Sequence, residues 1–134
     1  MQNFRAKPAI PMANWMEPSH GEMLRTIAVA RLLMPDMNIQ APPNLSAHNY
    51  EELLDAGIND WGGVSPLTPD YINPERPWPH VEELQSRTEA RGFVLRNRLP
   101  VYPEFVHRSI GKSDLLTERL SQASGRDGLA RAAA

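Results

Sequence analysis

The 134-residue chain contains no cysteine. Disulfides, thiolate zinc sites, cysteine nucleophiles and cysteine-held iron–sulfur clusters are thereby excluded within it. Nor does it carry an excess of positive charge: 14 Lys+Arg against 16 Asp+Glu leave a net charge of −2. That is too little for a broad electrostatic grip on nucleic acid. The longest apolar run, Ile27 to Met34, is interrupted by Arg31 and falls far short of a membrane span. The start, Gln2-Asn3-Phe4, has no basic-then-apolar leader. The expectation is a soluble cytoplasmic protein with neither nucleic acid nor membrane as partner. Aliphatic residues are scarce as well. Leu, Ile, Val and Phe make up roughly 22% of the chain, barely above the range in which chains stop folding alone.

Proline is what the chain has in plenty: 13 residues, about twice the usual share. A Pro-rich, aliphatic-poor chain is either partly disordered or a piece of a larger fold. Its opening, Gln2 to Pro8, reads as the end of a strand. Ser19 and Glu22 then have capping-box spacing, and Met23, Leu24, Ile27, Ala28, Ala30 and Met34 recur at helical spacing until Pro35. Met37 to Ala41 is a short strand cut off by Pro42-Pro43. A second helix is expected from Asn49 to Ala56, with Asn49 and Glu52 as a capping pair and Gly57 at its end. Ile58 to Trp61 reads as another short strand before Gly62-Gly63. Ser65 to Pro79 carries five prolines and is a long ordered loop or a disordered one. A third helix spans His80 to Arg91, with a thin stripe of Val81, Leu84 and Thr88. Phe93 to Val101 alternates with a period of two and is the clearest strand of all. Beyond Val106 the chain turns polar, with a weak helix near Ser113 to Leu120.

Strands separated by single helices imply βαβ units and a parallel sheet. Three strands and a truncated fourth cannot close a barrel, which takes about eight, so the simplest account is an arc of a larger α/β barrel. Ligands meet such folds at the C-terminal ends of the strands. Those ends are Gln2 to Arg5, Gln40 to Asn44, Asp60 to Gly63 and Asn97 to Tyr102, rich in amides, arginines and rings. They suit a polyhydroxylated or heterocyclic ligand held by hydrogen bonds and stacking. Each feature also has a plainer reading. Amides beside Pro42-Pro43 tie down loop backbone. Asp60 is a base, a hydrogen-bond acceptor or the cap of the next turn. Trp61 and Trp78 read as packing residues, and Arg96 and Arg98 as a solvated or ion-paired face more readily than a phosphate site. The histidines, at 20, 48, 80 and 107, have no metal-ligand spacing, and no phosphate-loop or nucleophile-elbow motif occurs.

Three stretches are more specific. Gln2-Asn3-Phe4-Arg5-Ala6-Lys7-Pro8, Ala41-Pro42-Pro43-Asn44-Leu45 and the run from Leu54 to Pro66, which contains Asn59-Asp60-Trp61-Gly62-Gly63-Val64-Ser65-Pro66, resemble the deazaflavin-precursor (FO) synthases in their cyclising, CofG-type half. Arg98 to Val106 resembles that family's closing segment, and the similarity runs from residue 2 to about 107. The resemblance implies a radical S-adenosylmethionine (SAM) lyase with a [4Fe–4S] cluster on a CxxxCxxC motif. It would form 7,8-didemethyl-8-hydroxy-5-deazariboflavin (FO), for deazaflavin coenzyme biosynthesis, from a tyrosine- and ribityl-diaminouracil-derived substrate. This chain has no cysteine for the cluster, and the family's catalytic cysteines map to no position in it.

The expected fold is therefore α/β: the C-terminal arc, about three to four parallel strands with helices, of a radical SAM (β/α) barrel. Residues 1–107 form that part, and 108–134 a polar, partly helical or disordered tail. Gln2, Asn3, Arg5, Gln40, Asn44, Asp60, Trp61 and Tyr102 are expected to contribute to a substrate or cofactor wall. No residue here is expected to hold a metal or act catalytically. SAM and the cluster belong to the parent enzyme, and the chain alone is expected to be inactive. Its expected partners are a missing N-terminal barrel half and, in the family, the adduct-forming partner synthase. The alternative is a non-catalytic remnant or complementing chain that docks onto a cysteine-bearing half. Because the family places Val or Ile before Gln-Asn-Phe, Met1 reads as an internal valine codon taken for a start.

Overall fold

The computed structural model describes residues 1–46, 48–65, 67–106 and 114–131. It divides into two compact units, Met1–Phe93 and Val94–Ala134. The described elements are mostly helical: α1 (His20–Leu33), a 3-10 turn (Pro43–Ser46), α2 (Glu52–Ala56), α3 (Val81–Ala90), α4 (Pro103–Val106) and α5 (Asp114–Ala123). None of the helices is long and apolar enough to cross a membrane among the described residues.

Helix α1 begins where the sequence places it. The Glu22 N–H donates to Ser19 Oγ at 3.2 Å, and the Ser19 N–H donates to the Glu22 carboxylate at 2.8 Å, so two donors of the open helix end are satisfied reciprocally. Met23, Ile27 and Ala30 face inward. The outer face leaves Val29, Leu32 and Leu33 exposed. At its C-terminal end Arg31 gathers carbonyls: Nε donates to Gly57 at 2.8 Å, and Nη1 to Pro35 at 2.8 Å and Met37 at 2.7 Å. A cation there also suits the negative end of the helix dipole.

The expected Asn49–Glu52 capping pair is not formed. A turn precedes α2, with the Glu52 N–H bonded to the Asn49 carbonyl, and Glu51 occupies the cap without a side-chain bond. Helix α2 is accordingly shorter than expected, one turn and a residue. Gly57 ends it in the left-handed region at φ 114°, as a C-terminal glycine should. Helix α3 matches its expected span within a residue at each end, and of its stripe Leu84 and Thr88 are buried while Val81 is exposed.

The strand expectations fare differently. Met37–Ala41 and Ile58–Trp61 do run parallel, but they meet in a single bridge, Gln40 to Asp60. The Ala41 N–H donates to the Asp60 carbonyl and the Asn59 N–H to the Ile39 carbonyl, both at 3.1 Å. Pro42 and Pro43 follow at once and remove the donors a longer ladder needs. Gln2–Pro8 forms no strand. The stretch from Phe93 to Val101, the clearest strand by periodicity, is irregular, and Phe93 and Val94 are both exposed. Alternation suits a pleat but creates none without a neighbouring strand to bond. Here the Asn97 carbonyl instead accepts from the Ala130 N–H at 3.1 Å. An arc of three to four strands is thus not formed among the described residues.

In the first unit the core gathers Ile27, Ile39, Ala41, Leu45, Tyr50, Leu53, Ile58, Trp61 and Leu84. Tyr50 and Trp61 meet edge to face with centroids 5.4 Å apart. The Trp61 indole N–H donates to Thr88 Oγ1 at 3.2 Å, which ties α3 to this core. In the second unit Val106 is buried, Ser124 and Ala130 form an antiparallel bridge, and Arg96 pairs with Asp127 at 2.9 Å.

Candidate functional site

Two prolines in succession turn the chain sharply after Ala41 and wind Pro43–Ser46 into a 3-10 turn whose four residues are all buried. Three of the expected wall residues gather on it. Asn3 Nδ2 donates to Ser46 Oγ at 3.2 Å. Arg5 Nη2 donates to the Leu45 carbonyl, and its Nη1 pairs with Glu17 Oε2 at 2.7 Å. The other Glu17 oxygen accepts from the Ala6 N–H at 2.9 Å. These bonds, Arg5's first, hold the Glu17 carboxyl below its usual range, so Arg5 faces a fixed anion.

Asn44 is fully buried, and its amide N–H groups go to Asp70 Oδ2 at 2.9 Å and the Arg76 carbonyl at 3.1 Å. Its Oδ1 has no partner, nor does the buried Arg5 Nε. An unmatched buried polar atom costs about 1–3 kcal/mol, so two in one knot are a conspicuous expense. Asp70 itself is saturated: Oδ1 accepts from the Ile72 and Asn73 N–H groups at 2.9 and 3.1 Å, and Oδ2 from Asn73 Nδ2 at 3.0 Å. Hydrogen bonds led by that of the Asn73 side chain depress its carboxyl to about 2.

Gln40 and Asp60 stand opposite each other at the bridge. Asp60 Oδ1 accepts from the Gly62 N–H at 2.6 Å, which is the turn-capping reading of that residue. Trp61 turns away into the core. Gln2 is exposed. Tyr102 belongs to the second unit, where the Arg98 guanidinium lies 4.6 Å from its ring centroid. The structure therefore brings Asn3, Arg5 and Asn44 together and sets Gln40 beside Asp60. A groove of about 390 Å³ between α1 and α2, rimmed by Arg25, Glu52, Asp55 and Arg91, contains none of the eight.

Sequence reasoning missed Asp70, Glu17, Ser46 and Asn73, on which the knot depends. The signal for Asp70 is the Pro69-Asp70-Tyr71-Ile72-Asn73 order, in which an aspartate accepts from backbone two and three residues on. Chemically the knot can bind and orient, because its carboxylates are held ionised as acceptors. It does not suit a metal cluster: the chain has no thiolate to offer, and no group of three metal-ligating side chains occurs among the described residues.

The 7,8-didemethyl-8-hydroxy-5-deazariboflavin synthase of Methanopyrus kandleri is 53% identical over 127 residues, covering 93% of this chain. The chain belongs to the FO synthase family. The synthase of Methanothermobacter thermautotrophicus is 50% identical over 122 residues, and the FO synthase of Streptomyces coelicolor 55% identical over 109. This member spans 38% and 37% of the two archaeal relatives and 13% of the Streptomyces one. It therefore corresponds to a segment of an FO synthase. No family model matches the chain, and no solved structure matches it.

Proposed function

We propose that the chain is the C-terminal part of the radical SAM barrel of an enzyme that forms FO, and that its strand-end residues build part of the wall around substrate or cofactor. The observation that carries this is identity above half, over nine-tenths of the chain, to an archaeal synthase. The parallel bridge at Gln40 and Asp60 is the sense of pairing a barrel requires, and the 3-10 knot lies just beyond its C-terminal side, where ligands of α/β folds bind. Residues 1–107 supply the barrel part and 108–134 a tail.

The parent enzyme carries SAM and the [4Fe–4S] cluster on its own cysteines. The residues of this chain do not fit the cluster, and their role is binding and orientation: Gln2, Asn3, Arg5, Gln40, Asn44 and Asp60 in the first unit, with Tyr102 as further wall, while Trp61, turned into the core, supports that wall from behind. Alone the chain is inactive, in the cytoplasm, and its partners are the cysteine-bearing barrel half and the adduct-forming synthase. Supplied as a separate docking chain it would fill the same place, and no observation favours that arrangement over a continuous one.

A chimera tests the reading. The matching 127-residue stretch of the Methanopyrus kandleri synthase is replaced by this sequence, and the adduct-forming partner is co-expressed. Deazaflavin fluorescence is the expected result. A folded, cluster-loaded chimera that yields no FO overturns it.

A further inference from the structure

Helix α1 turns a different face to each of its surroundings. Met23, Ile27 and Ala30 are buried in the core. Leu24 and Ala28 line the groove shared with Glu52, Asp55 and Ala56 of α2, and Arg31 Nε reaches the Gly57 carbonyl just past that helix. This flank therefore belongs to α2. At about 100° per residue, the opposite flank carries Glu22, Thr26, Val29 and Leu33. Its two aliphatic residues stand one turn apart, Val29 54% and Leu33 75% exposed. Leu32, 82% exposed, points away from the core. A single surface leucine is ordinary, but two aliphatic side chains at i and i+4 form a ridge of the kind by which helices pack together.

The backbone gives the side from which a partner comes. The Ile39 carbonyl and the Ala41 N–H bond to Asn59 and Asp60, so the Gln40 carbonyl between them points to the other edge of its segment. There it accepts from the Met1 amino group. Met1 thus lies across Gln40 from the Ile58–Trp61 segment, into which α2 leads. The ridge on α1 faces away from α2, towards the same side.

We propose that the Val29–Leu33 ridge seats a helix from the part of the FO synthase that precedes residue 1. The inference rests on the function proposed above and specifies where the two parts meet. The chain spans 38% of the Methanopyrus kandleri synthase, so most of such an enzyme lies outside it. In a ring of helices around a barrel each helix has a neighbour on both flanks, and α2 covers only one flank of α1. The occupant brings its own apolar stripe at i, i+3 and i+4 spacing. Leu32, between the two flanks, stays in solvent.

The test uses the chimera above, co-expressed with the adduct-forming partner, and the chain alone, each carrying Val29→Cys, Leu32→Cys or Leu33→Cys. The chain has no cysteine of its own, and peptide masses keep the cluster thiols of the other part separate. In the chain alone a maleimide labels the three positions at similar rates. In an FO-forming chimera positions 29 and 33 label at least about tenfold more slowly than 32, because a buried thiol reacts only when the seam opens. FO formation with 29 and 33 as reactive as 32 overturns the inference and leaves the proposed function standing. Slow labelling at 29 and 33 in the chain alone, relieved by dilution, gives the ridge to a second copy and overturns it too. A folded, cluster-loaded chimera that makes no FO overturns the proposed function and this inference with it.

Discussion

Gln40 lies across Gly62. A Cβ on Gly62 would fall 2.7 Å from Gln40 Nε2 and 3.2 Å from its Cδ, and the backbone there is left-handed at φ 83°. The left-handed backbone is what favours glycine here, while the Gln40 amide, the far end of a flexible side chain, can give way to a methyl. Neighbouring Gly63 has no atom within 4 Å of the same position and no positive φ. Gly62→Ala is expected to cost about 1–2 kcal/mol and Gly63→Ala less than about 0.5 kcal/mol. Urea midpoints at constant slope measure both, and equal losses would show that the left-handed backbone at Gly62 carries no strain for a side chain.

Gly57 is more tightly confined. A Cβ there would meet Arg31 Cγ at 2.8 Å and Cβ at 2.9 Å, the stiff root of a side chain whose head is anchored on four carbonyls. Gly57→Ala is expected to cost about 2–4 kcal/mol, strain and overlap together. In an Arg31→Ala background the cost falls only in part, because Cγ is gone while Cβ, at 2.9 Å, remains. A double-mutant cycle in urea reads the coupling, and strict additivity would remove the Arg31 side chain beyond Cβ from the account.

Tyr50 is buried with its hydroxyl unpartnered, and burial, with Glu83 nearby, pushes its phenol up to about 12. The ring earns its place against Trp61 and beneath Arg87, whose guanidinium lies 5.0 Å from its centroid. Tyr50→Phe keeps those contacts and discards an unmet polar group, so it is expected to be neutral or stabilising by up to about 1 kcal/mol. The raised value also fixes a sign. The neutral phenol's contribution is whole below about pH 10, where the unfolded group titrates, and is lost as pH rises towards 12. The variant should lack that alkaline decline relative to wild type. A destabilised Tyr50→Phe would mean the hydroxyl is satisfied after all.

The elements legible in the sequence were those specified by near neighbours. The Ser19–Glu22 box, the Gly57 stop and the span of α3 each follow from a few consecutive residues, and all three stand. The misses concern partners distant in sequence. Phe93 to Val101 has the right alternation, but a strand is a relation between two segments, and the Asn97 carbonyl finds Ala130 rather than a ladder. Likewise Asn49 and Glu52 have capping spacing, yet the turn before α2 takes the backbone past it. At the site, Asn3, Arg5 and Asn44 were visible as polar residues at the ends of expected strands. Asp70, 26 residues from Asn44, was not, because nothing local to either residue announces the other.

Asp70 supplies the last prediction, in acid. Its carboxyl is depressed to about 2 by the donors of Asn73, Asn44 and Ile72, against about 3.9 in an unfolded chain. A depressed acid stabilises the fold fully above the unfolded value and loses that contribution as pH falls through the folded one. Asp70→Asn keeps the shape and abolishes the charge. It should be less stable than wild type from neutral pH down to about 4, and the gap should close between about 4 and 2. Glu17, Glu22 and Asp127 are held low as well, by Arg5, Ser19 and the Leu129 N–H respectively, so both proteins weaken in acid. Only the difference between them isolates Asp70. Urea midpoints at half-unit steps from pH 7 to 2 provide it. A gap that persists unchanged at pH 2 would mean that Asp70 acts by packing, and that its charge does not orient the amide of Asn44.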